Sequence, residues 1–228
     1  MNTMLLLADV SVLEDEDLFG TLLRRLPSAR REKALRYRFA KDRNLSVGVG
    51  ILLEEALRRA GVKESPGLAE GPGGKPYYVN QKGICFNLSH SGTMALCALG
   101  PWEAGCDIEE RRTKARLAAE RFLNPDERVW LDGARDEEER ERMFFRLWTL
   151  KESFMKVTGR GFSLRLEDFS VVPQEDGIVL RQDVDGRAYA FREYDAVPGY
   201  ALSLCLAEAP EEAWPEEPER VDLRTLAI

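Results

Sequence analysis

The chain of 228 residues contains a single histidine, His90, and only four cysteines, Cys85, Cys97, Cys106 and Cys205, none of them in a CxxC pair. One imidazole and no paired thiols leave a His-based zinc site and a disulfide framework without support. The thiols sit in apolar contexts and read as reduced and buried, as in a cytoplasmic protein. No stretch reaches the roughly 18 apolar residues that a membrane span needs. The opening run Met4-Leu5-Leu6-Leu7-Ala8 has no basic residue before it and no cleavage-like small residues after it, so no signal peptide is expected. The net charge of −7 lacks the basic excess of a nucleic-acid binder, so any basic site must be local. There is no G-x-S-x-G, and His90 adjoins both candidate serines, which leaves a hydrolase triad unsupported. There is no P-loop either. Gly159-x-Gly161 lacks the third glycine and the preceding strand of a dinucleotide fingerprint and reads as the end of a helix.

What is present is a composition 44% hydrophobic, enough for one sizeable core or two small ones packed together. Patterning predicts a strand over residues 3–10 and a helix from Leu13 to Arg25, ended by Pro27. A basic stretch follows, with Arg30, Arg31, Lys33, Arg36, Arg38, Lys41 and Arg43 leading into an apolar helix from Leu45 to Ala60. Gly71 to Pro76 is a loop. Strands over Gly83 to Leu88 and Thr93 to Leu99 are expected to flank a turn, Ser89-His90-Ser91-Gly92, and Gly105 to Glu109 reads as a further strand. Helices are expected over Arg116 to Phe122, Asp126 to Gly133 and Glu137 to Val157. Four more strands should lie at 169–172, 178–181, 188–194 and 200–206. Each half thus offers a helical region and then strands, which predicts an α+β fold of two lobes, residues 1–103 and 104–208. A Pro- and Glu-rich tail occupies 209–228.

Two clusters carry chemistry. Asp107 and Glu109 stand two apart on a strand, so both carboxylates leave one face, a pattern that suits Mg²⁺ and equally suits exposed strand acids. On the long helix, Met143, Leu147, Leu150, Phe154 and Val157 form one apolar stripe, while Trp148, Glu152 and Lys156 lie opposite at i, i+4 and i+8. Phe145, Trp148 and Met155 imply that this second side is also covered, and a covered acid and lysine need partners. Either Glu152 and Lys156 pair with each other, or Glu152 joins Asp107 and Glu109 at a metal while Lys156 meets a phosphate. The expected turn carrying Ser89, His90 and Ser91 offers hydroxyl, imidazole and backbone donors to an anion.

Gly74-Lys75-Pro76, Phe86-Asn87-Leu88-Ser89-His90-Ser91-Gly92, Gly105-Cys106-Asp107-Ile108-Glu109 and the run from Phe145 to Gly161, with its WxxKESxxKxxGxG string, occur in this order. Together they resemble the surfactin-synthetase-activating type of 4'-phosphopantetheinyl transferase, over about Pro27 to Leu206. The resemblance implies a monomer of two similar α+β lobes about a pseudo-twofold axis, with coenzyme A lying between them. It implies transfer of the 4'-phosphopantetheine group to a serine of an apo acyl or peptidyl carrier protein. It further implies that Asp107, Glu109 and Glu152 hold Mg²⁺, with Mn²⁺ as an alternative. Lys75, Ser89 and His90 would bind the nucleotide phosphates, with Lys156 near the pyrophosphate, and Arg30 and Lys33 would lie near the 3′-phosphate. Leu45 stands where the family pattern has an arginine, which leaves Arg43 as the candidate substitute. Glu152 is the first candidate for the base that takes the serine proton, and Glu127 the second. Glu127 also fits a helix start, Asn124-Pro125-Asp126-Glu127, as a capping glutamate. Arg111, Arg112, Lys114, Arg116 and Arg121, with Leu117 and Phe122 interleaved, form a basic segment expected to dock an acidic carrier protein or simply to face solvent. A CoA-dependent acyltransferase and a catalytically silent CoA-binding or carrier-binding module are the rival readings; the first has no need of three metal-binding acids, and the second would be expected to lose one.

Overall fold

The computed structural model describes residues 2–62, 67–79, 83–112, 116, 117 and 119–227, with Phe162 described by its backbone alone. The fold is α+β. In chain order the elements are β1 (Met4–Asp9), α1 (Glu16–Arg25), α2 (Ser28–Leu35), α3 (Ala40–Arg59), β2 (Leu68–Glu70), β3 (Pro76–Tyr78), β4 (Cys85–Ser91), β5 (Met94–Gly100) and β6 (Ala104–Glu110). Then come α4 (Pro125–Leu131), α5 (Glu137–Thr158), β7 (Phe169–Gln174), β8 (Gly177–Gln182), β9 (Tyr189–Glu193), β10 (Tyr200–Ala207) and β11 (Glu219–Arg220). One sheet has the order β11-β1-β5-β4 and a second has β6-β10-β9, with two-stranded ribbons β2-β3 and β7-β8 beside them.

Side-chain alternation builds these sheets into layers. Along β5, Ala95, Cys97 and Leu99 point into a core under α3, whereas Met94, Leu96 and Ala98 point into a second core. That second core is completed by Ala104, Cys106 and Ile108 of β6 and by Leu202, Leu204 and Leu206 of β10. The two sheets therefore pack on each other through their apolar faces, with α3 outside one and α5 outside the other. What remains on β6, facing α5, is Gly105, Asp107 and Glu109. The period of two has sorted the carboxylates away from the inter-sheet core and under the helix that carries Glu152 and Lys156.

The helix α5 starts where Asp136 accepts a hydrogen bond from the Glu139 N–H, and it ends at Gly159, whose φ of 66° is the left-handed cap that a glycine adopts without strain. Gly159-x-Gly161 thus ends a helix, as expected. The Pro- and Glu-rich tail does not trail away. Ala213 and Trp214 enter the inter-sheet core, β11 pairs in parallel with β1, and Val221 and Leu223 are buried in the core under α3.

One expectation is corrected. Ser89, His90 and Ser91 lie within β4, and the hairpin turn falls at Gly92-Thr93. The strand runs on because its alternate polar side chains have backbone to bind. β6 is the edge of its sheet, with unpaired N–H groups on its outer side. Asn87 Oδ1 accepts from Cys106 N (2.8 Å), Ser89 Oγ from Ile108 N (3.3 Å) and Ser91 Oγ from Glu110 N (3.1 Å). The two strands share a constant offset of 19 residues and run parallel. Three side chains therefore act as the ladder between sheets that the backbone does not make.

Candidate active site

The ladder places its serines against the acids. Ser89 Oγ donates to Asp107 Oδ1 at 2.7 Å and Ser91 Oγ to Glu109 Oε2 at 2.7 Å. From the opposite side, Lys156 Nζ donates to Asp107 Oδ1 (2.6 Å), Ser89 Oγ (3.0 Å) and the Cys106 carbonyl (3.1 Å). Such proximity requires α5 to sit almost on β6. A Cβ at Gly105 would fall inside the Ser153 carbonyl and against the Val157 nitrogen, so the glycine is what admits the helix. Lys156 does not make the simple pair with Glu152: its carboxylate partner is Asp107.

Electrostatics follow from this crowding. Burial, then the Asp107 charge, push the Glu109 carboxyl up to about 7, with Glu152 adding to the effect and Ser91 and Lys156 opposing it. The same first two causes raise Glu152 above the usual carboxylate range, with Lys156 opposing. Burial works against the Lys156 ammonium, but Asp107 and the surrounding groups outweigh it and its pKa is raised. His90 is open to solvent on its outer side, yet the packed wall beside it and then the Lys156 charge lower its pKa, against Asp42 and Asp107. Cys106 lies next to the acids as an inert thiol, pushed by burial to about 12.

Whether this cluster suits a dication is decided by Asp107. Its side chain is 4% exposed, one oxygen is fully engaged, and the other, Oδ2, is buried with no hydrogen-bond partner. A buried carboxylate oxygen left bare is costly, and hard oxygen donors of this kind are what Mg²⁺ takes. Glu109 and Glu152, both disfavoured as free anions by Asp107, would be relieved by a cation between them. Among the described residues no group of three or more acid, histidine or cysteine side chains is placed to hold a metal ion by itself. That is compatible with Mg²⁺, which typically takes one or two carboxylates and fills its remaining positions with phosphate oxygens and water. The residues present fit the ion.

Beside the acids lies a groove of about 290 Å³, walled by Gly73, Gly74, Lys75, Asn87, Glu152 and Lys156 among others. The expected loop at 71–76 forms its rim. Gly73 and Gly161 lack Cβ atoms because each packs on the other's loop backbone, and this fastens the Gly-Lys-Pro loop to the end of α5. Lys75 reaches back from the loop to Glu103 Oε2 (2.9 Å) and to the carbonyls of Ala104 (3.0 Å) and Val157 (3.3 Å). A larger cleft of about 510 Å³ continues beyond Lys75, past Tyr77, Tyr78 and Phe86.

The other expected residues separate. Arg30 turns inward from α2 against α3, its Nε buried and without a partner, and burial lowers its pKa. Lys33, one turn on, faces solvent. Arg43 donates to the carbonyls of Tyr37 (3.3 Å) and Arg38 (3.2 Å), tying the α2–α3 connection, while Leu45 is buried in the core under α3. Glu127 is wholly buried: Oε2 accepts from the Asn124 N–H at 2.8 Å, and Oε1 accepts from Lys151 Nζ at 2.6 Å and from Val171 N at 2.9 Å. The capping reading of Glu127 is what the structure shows, and a carboxylate so enclosed cannot reach a substrate hydroxyl. Arg116 is also withdrawn, 2% exposed between Glu120 and Glu137, which corrects its place on a docking face. Arg112 pairs with Glu110 and Arg121 lies over the Phe122 ring at 4.7 Å, while Leu117 is 65% exposed. Lys114 lies outside the described residues. No helix among the described residues is long and apolar enough to cross a membrane.

Sequence reasoning missed the Asn87-Ser89-Ser91 ladder and the buried Lys151. The first was legible as a period-two polar series. The second carried no signal, because a lysine next to a glutamate on a helix looks like any solvated pair.

The family model of the 4'-phosphopantetheinyl transferase superfamily matches residues 103–205. A 4'-phosphopantetheinyl transferase of Bacillus subtilis is 35% identical over 181 residues, 78% of this chain and 80% of that protein. The 4'-phosphopantetheinyl transferase Sfp of Bacillus subtilis (strain 168) is 30% identical over 197 residues, 85% of each. Among solved structures, a holo-(acyl-carrier-protein) synthase from Bacillus anthracis str. Ames in complex with CoA (3',5'-ADP) aligns at a TM-score of 0.41 and 18% identity, over 47% of this chain and 96% of that one. The chain belongs to the 4'-phosphopantetheinyl transferase superfamily.

The raised Glu109 pKa makes a pH prediction. A carboxyl whose pKa rises from 4.5 to about 7 on folding holds its proton more tightly in the folded state. Its contribution to stability is full below about 4.5 and is lost as pH rises through about 7. In the presence of a chelator, the melting temperature of the wild type relative to Glu109→Gln should fall between these limits, and added Mg²⁺ should reverse the fall. A difference that stays flat with pH would show that burial and Asp107 do not raise the Glu109 carboxyl.

Proposed function

We propose that the chain transfers the 4'-phosphopantetheine group of coenzyme A to a serine of an apo acyl or peptidyl carrier protein, releasing adenosine 3′,5′-bisphosphate. The observation that carries this reading is the Asp107 carboxylate, with Lys156 and Ser89 on one oxygen and the other bare and buried, within a superfamily of phosphopantetheinyl transferases. In this reading Asp107, Glu109 and Glu152 hold Mg²⁺, or Mn²⁺ in its place. The ion supplies neutralisation of charge on the pyrophosphate.

The chain's own residues do the rest. Lys156 has its three N–H donors engaged by Asp107, Ser89 and the Cys106 carbonyl, so it meets a phosphate as a positive charge fixed in place and gives up one of these bonds if it donates to it. The carrier serine attacks the phosphorus that bears the pantetheine arm, the bond to the adenosine bisphosphate oxygen breaks, and the serine proton passes to Glu152. In the absence of the ion, burial and then Asp107 raise the proton affinity of Glu152, the direction that favours a general base. His90, and Lys75 on exchanging Glu103 for phosphate, bind the nucleotide phosphates along the groove. Arg30 and Lys33 serve the 3′-phosphate, and Arg43 serves the α2–α3 connection first. We assign residues 1–103 and 104–208 to two lobes with coenzyme A between them, and the enzyme to the cytoplasm as a monomer. The carrier protein docks on the exposed part of the basic segment, Arg111, Arg112 and Arg121 beside Leu117, where an acidic partner finds complementary charge.

The test uses acetyl-CoA, because the reacting phosphorus lies a whole pantetheine arm from the thiol. With apo carrier protein and Mg²⁺, mass spectrometry should find the entire acetyl-phosphopantetheine group on the carrier, and a chelator should abolish it. Gain of an acetyl group alone, with intact coenzyme A released, would make the chain an acyltransferase. No addition at all would leave a silent binding module.

A further inference from the structure

One pair of charges lies outside this reaction and is more deeply buried than any group within it. Lys151 and Glu127 are both 0% exposed. Each makes bonds in several directions. Lys151 Nζ donates to Glu127 Oε1 (2.6 Å) and to the Phe169 carbonyl (2.9 Å), and lies 4.3 Å from the centre of the Phe169 ring. Glu127 in turn holds the N–H groups of Asn124 and Val171. Three elements meet there: α5 through Lys151, α4 through Glu127 and β7 through Phe169 and Val171. The base of the contact is itself anchored, since Asp126 accepts from Ser170 Oγ (2.8 Å) and Arg181 (2.7 Å).

Two buried charges are a poor way to gain stability, because the cost of desolvating them is repaid only when every bond is made. What they provide is direction. The apolar contacts of α5, through Leu147, Leu150 and Phe154, are nondirectional and tolerate a small turn of the helix about its axis. A lysine bonded at fixed length to a carboxylate and a carbonyl does not. Glu152 is the next residue, with its carboxyl about 6 Å from the helix axis, so a 10° turn would move it by about 1 Å. A displacement of that size can cost about 100-fold in rate where reacting groups must align.

We infer that the Lys151–Glu127 pair sets the rotation of α5 and so positions Glu152 against Asp107 and Glu109. Both are positioning residues, acting through Glu152, and the inference rests on the proposed reading of that site. The charge on Glu127 is thereby given a role other than proton abstraction.

The test separates positioning from stability. Lys151→Met alone strands a buried carboxylate and should lower the melting temperature. The double variant Lys151→Met/Glu127→Leu removes both charges and should recover part of that loss, the N–H groups of Asn124 and Val171 being left without their acceptor. Positioning requires that this folded double variant still show a kcat at least tenfold lower, at unchanged KM for coenzyme A, and bind Mn²⁺ about tenfold more weakly in an electron paramagnetic resonance titration without substrates. Wild-type kcat and Mn²⁺ affinity in the double variant would overturn the inference. Should that variant fail to fold, Glu127→Asp decides, since it keeps both charges but shortens the latch by one methylene. It should show the same losses, and values within twofold of wild type would refute positioning. Because Mn²⁺ binding is read without transfer, a wild-type protein that binds Mn²⁺ yet modifies no carrier would sink the proposed function and leave the positioning test standing.

Discussion

Asp107→Asn and Glu152→Gln should each lower kcat for carrier modification by at least about 100-fold, the loss typical of removing one preorganised electrostatic group at a reacting centre. The reason differs between the two. Asp107 has one oxygen committed to Ser89 and Lys156 and the other bare, so an amide there removes the charge that holds the lysine. Glu152 makes no side-chain hydrogen bond among the described residues, so its substitution should leave the fold intact while removing the base. Circular dichroism and melting temperature should remain near wild type, and turnover followed with a fluorescent coenzyme A derivative should collapse. Wild-type-like turnover in either variant would remove that residue from the site.

Gly105→Ala should be nearly as damaging, though the glycine bears no chemistry. Its added methyl would overlap the Ser153 carbonyl and crowd the Val157 nitrogen, both backbone atoms that cannot rotate aside. The helix α5 has to lift from β6, carrying Glu152 and Lys156 with it. Overpacking of this kind costs about 1–3 kcal/mol, which for a chain of this size lowers Tm by roughly 2–4 °C for each kcal/mol. A shift of about 1 Å at the acids would reduce kcat by about 100-fold. The measurement is kcat and Tm on the same preparation. A variant with both unchanged would mean that α5 does not rest on Gly105.

Much of this site was legible before any fold was known. Asp107 and Glu109 declare a shared face through their spacing of two, and Glu152 and Lys156 declare one through their spacing of four, because strand and helix periods are local properties of the backbone. The capping run Asn124 to Glu127 and the cap at Gly159 are local too, set by side chains and φ angles within a few residues. The longer helices and strands follow these local patterns, whereas α2, the short strands β2, β3 and β11, and the strand through Ser89 to Ser91 were not expected. That segment reads as a turn by composition because serine and glycine favour turns. It is a strand because its backbone pairs with β5 as far as Ser91 and Met94, and because the free edge of β6 offers N–H groups to the two serines.

The tertiary structure alone decided which charges meet. Sequence spacing suggested Lys156 for either Glu152 or a phosphate, and packing gave it Asp107, since the close approach at Gly105 brings the last turns of α5 over β6. Arg30 and Lys33, equivalent as members of a basic run, were separated by the helix they share, one half-buried with its Nε against α3 and the other left in water. Arg116 was withdrawn from the surface by Glu120 and Glu137, and Lys151 was enclosed with Glu127. Periodicity shows the face on which a residue stands, but the energy of a charge depends on what lies across from that face. Partners 18 to 49 residues away are chosen by packing, which no local pattern records.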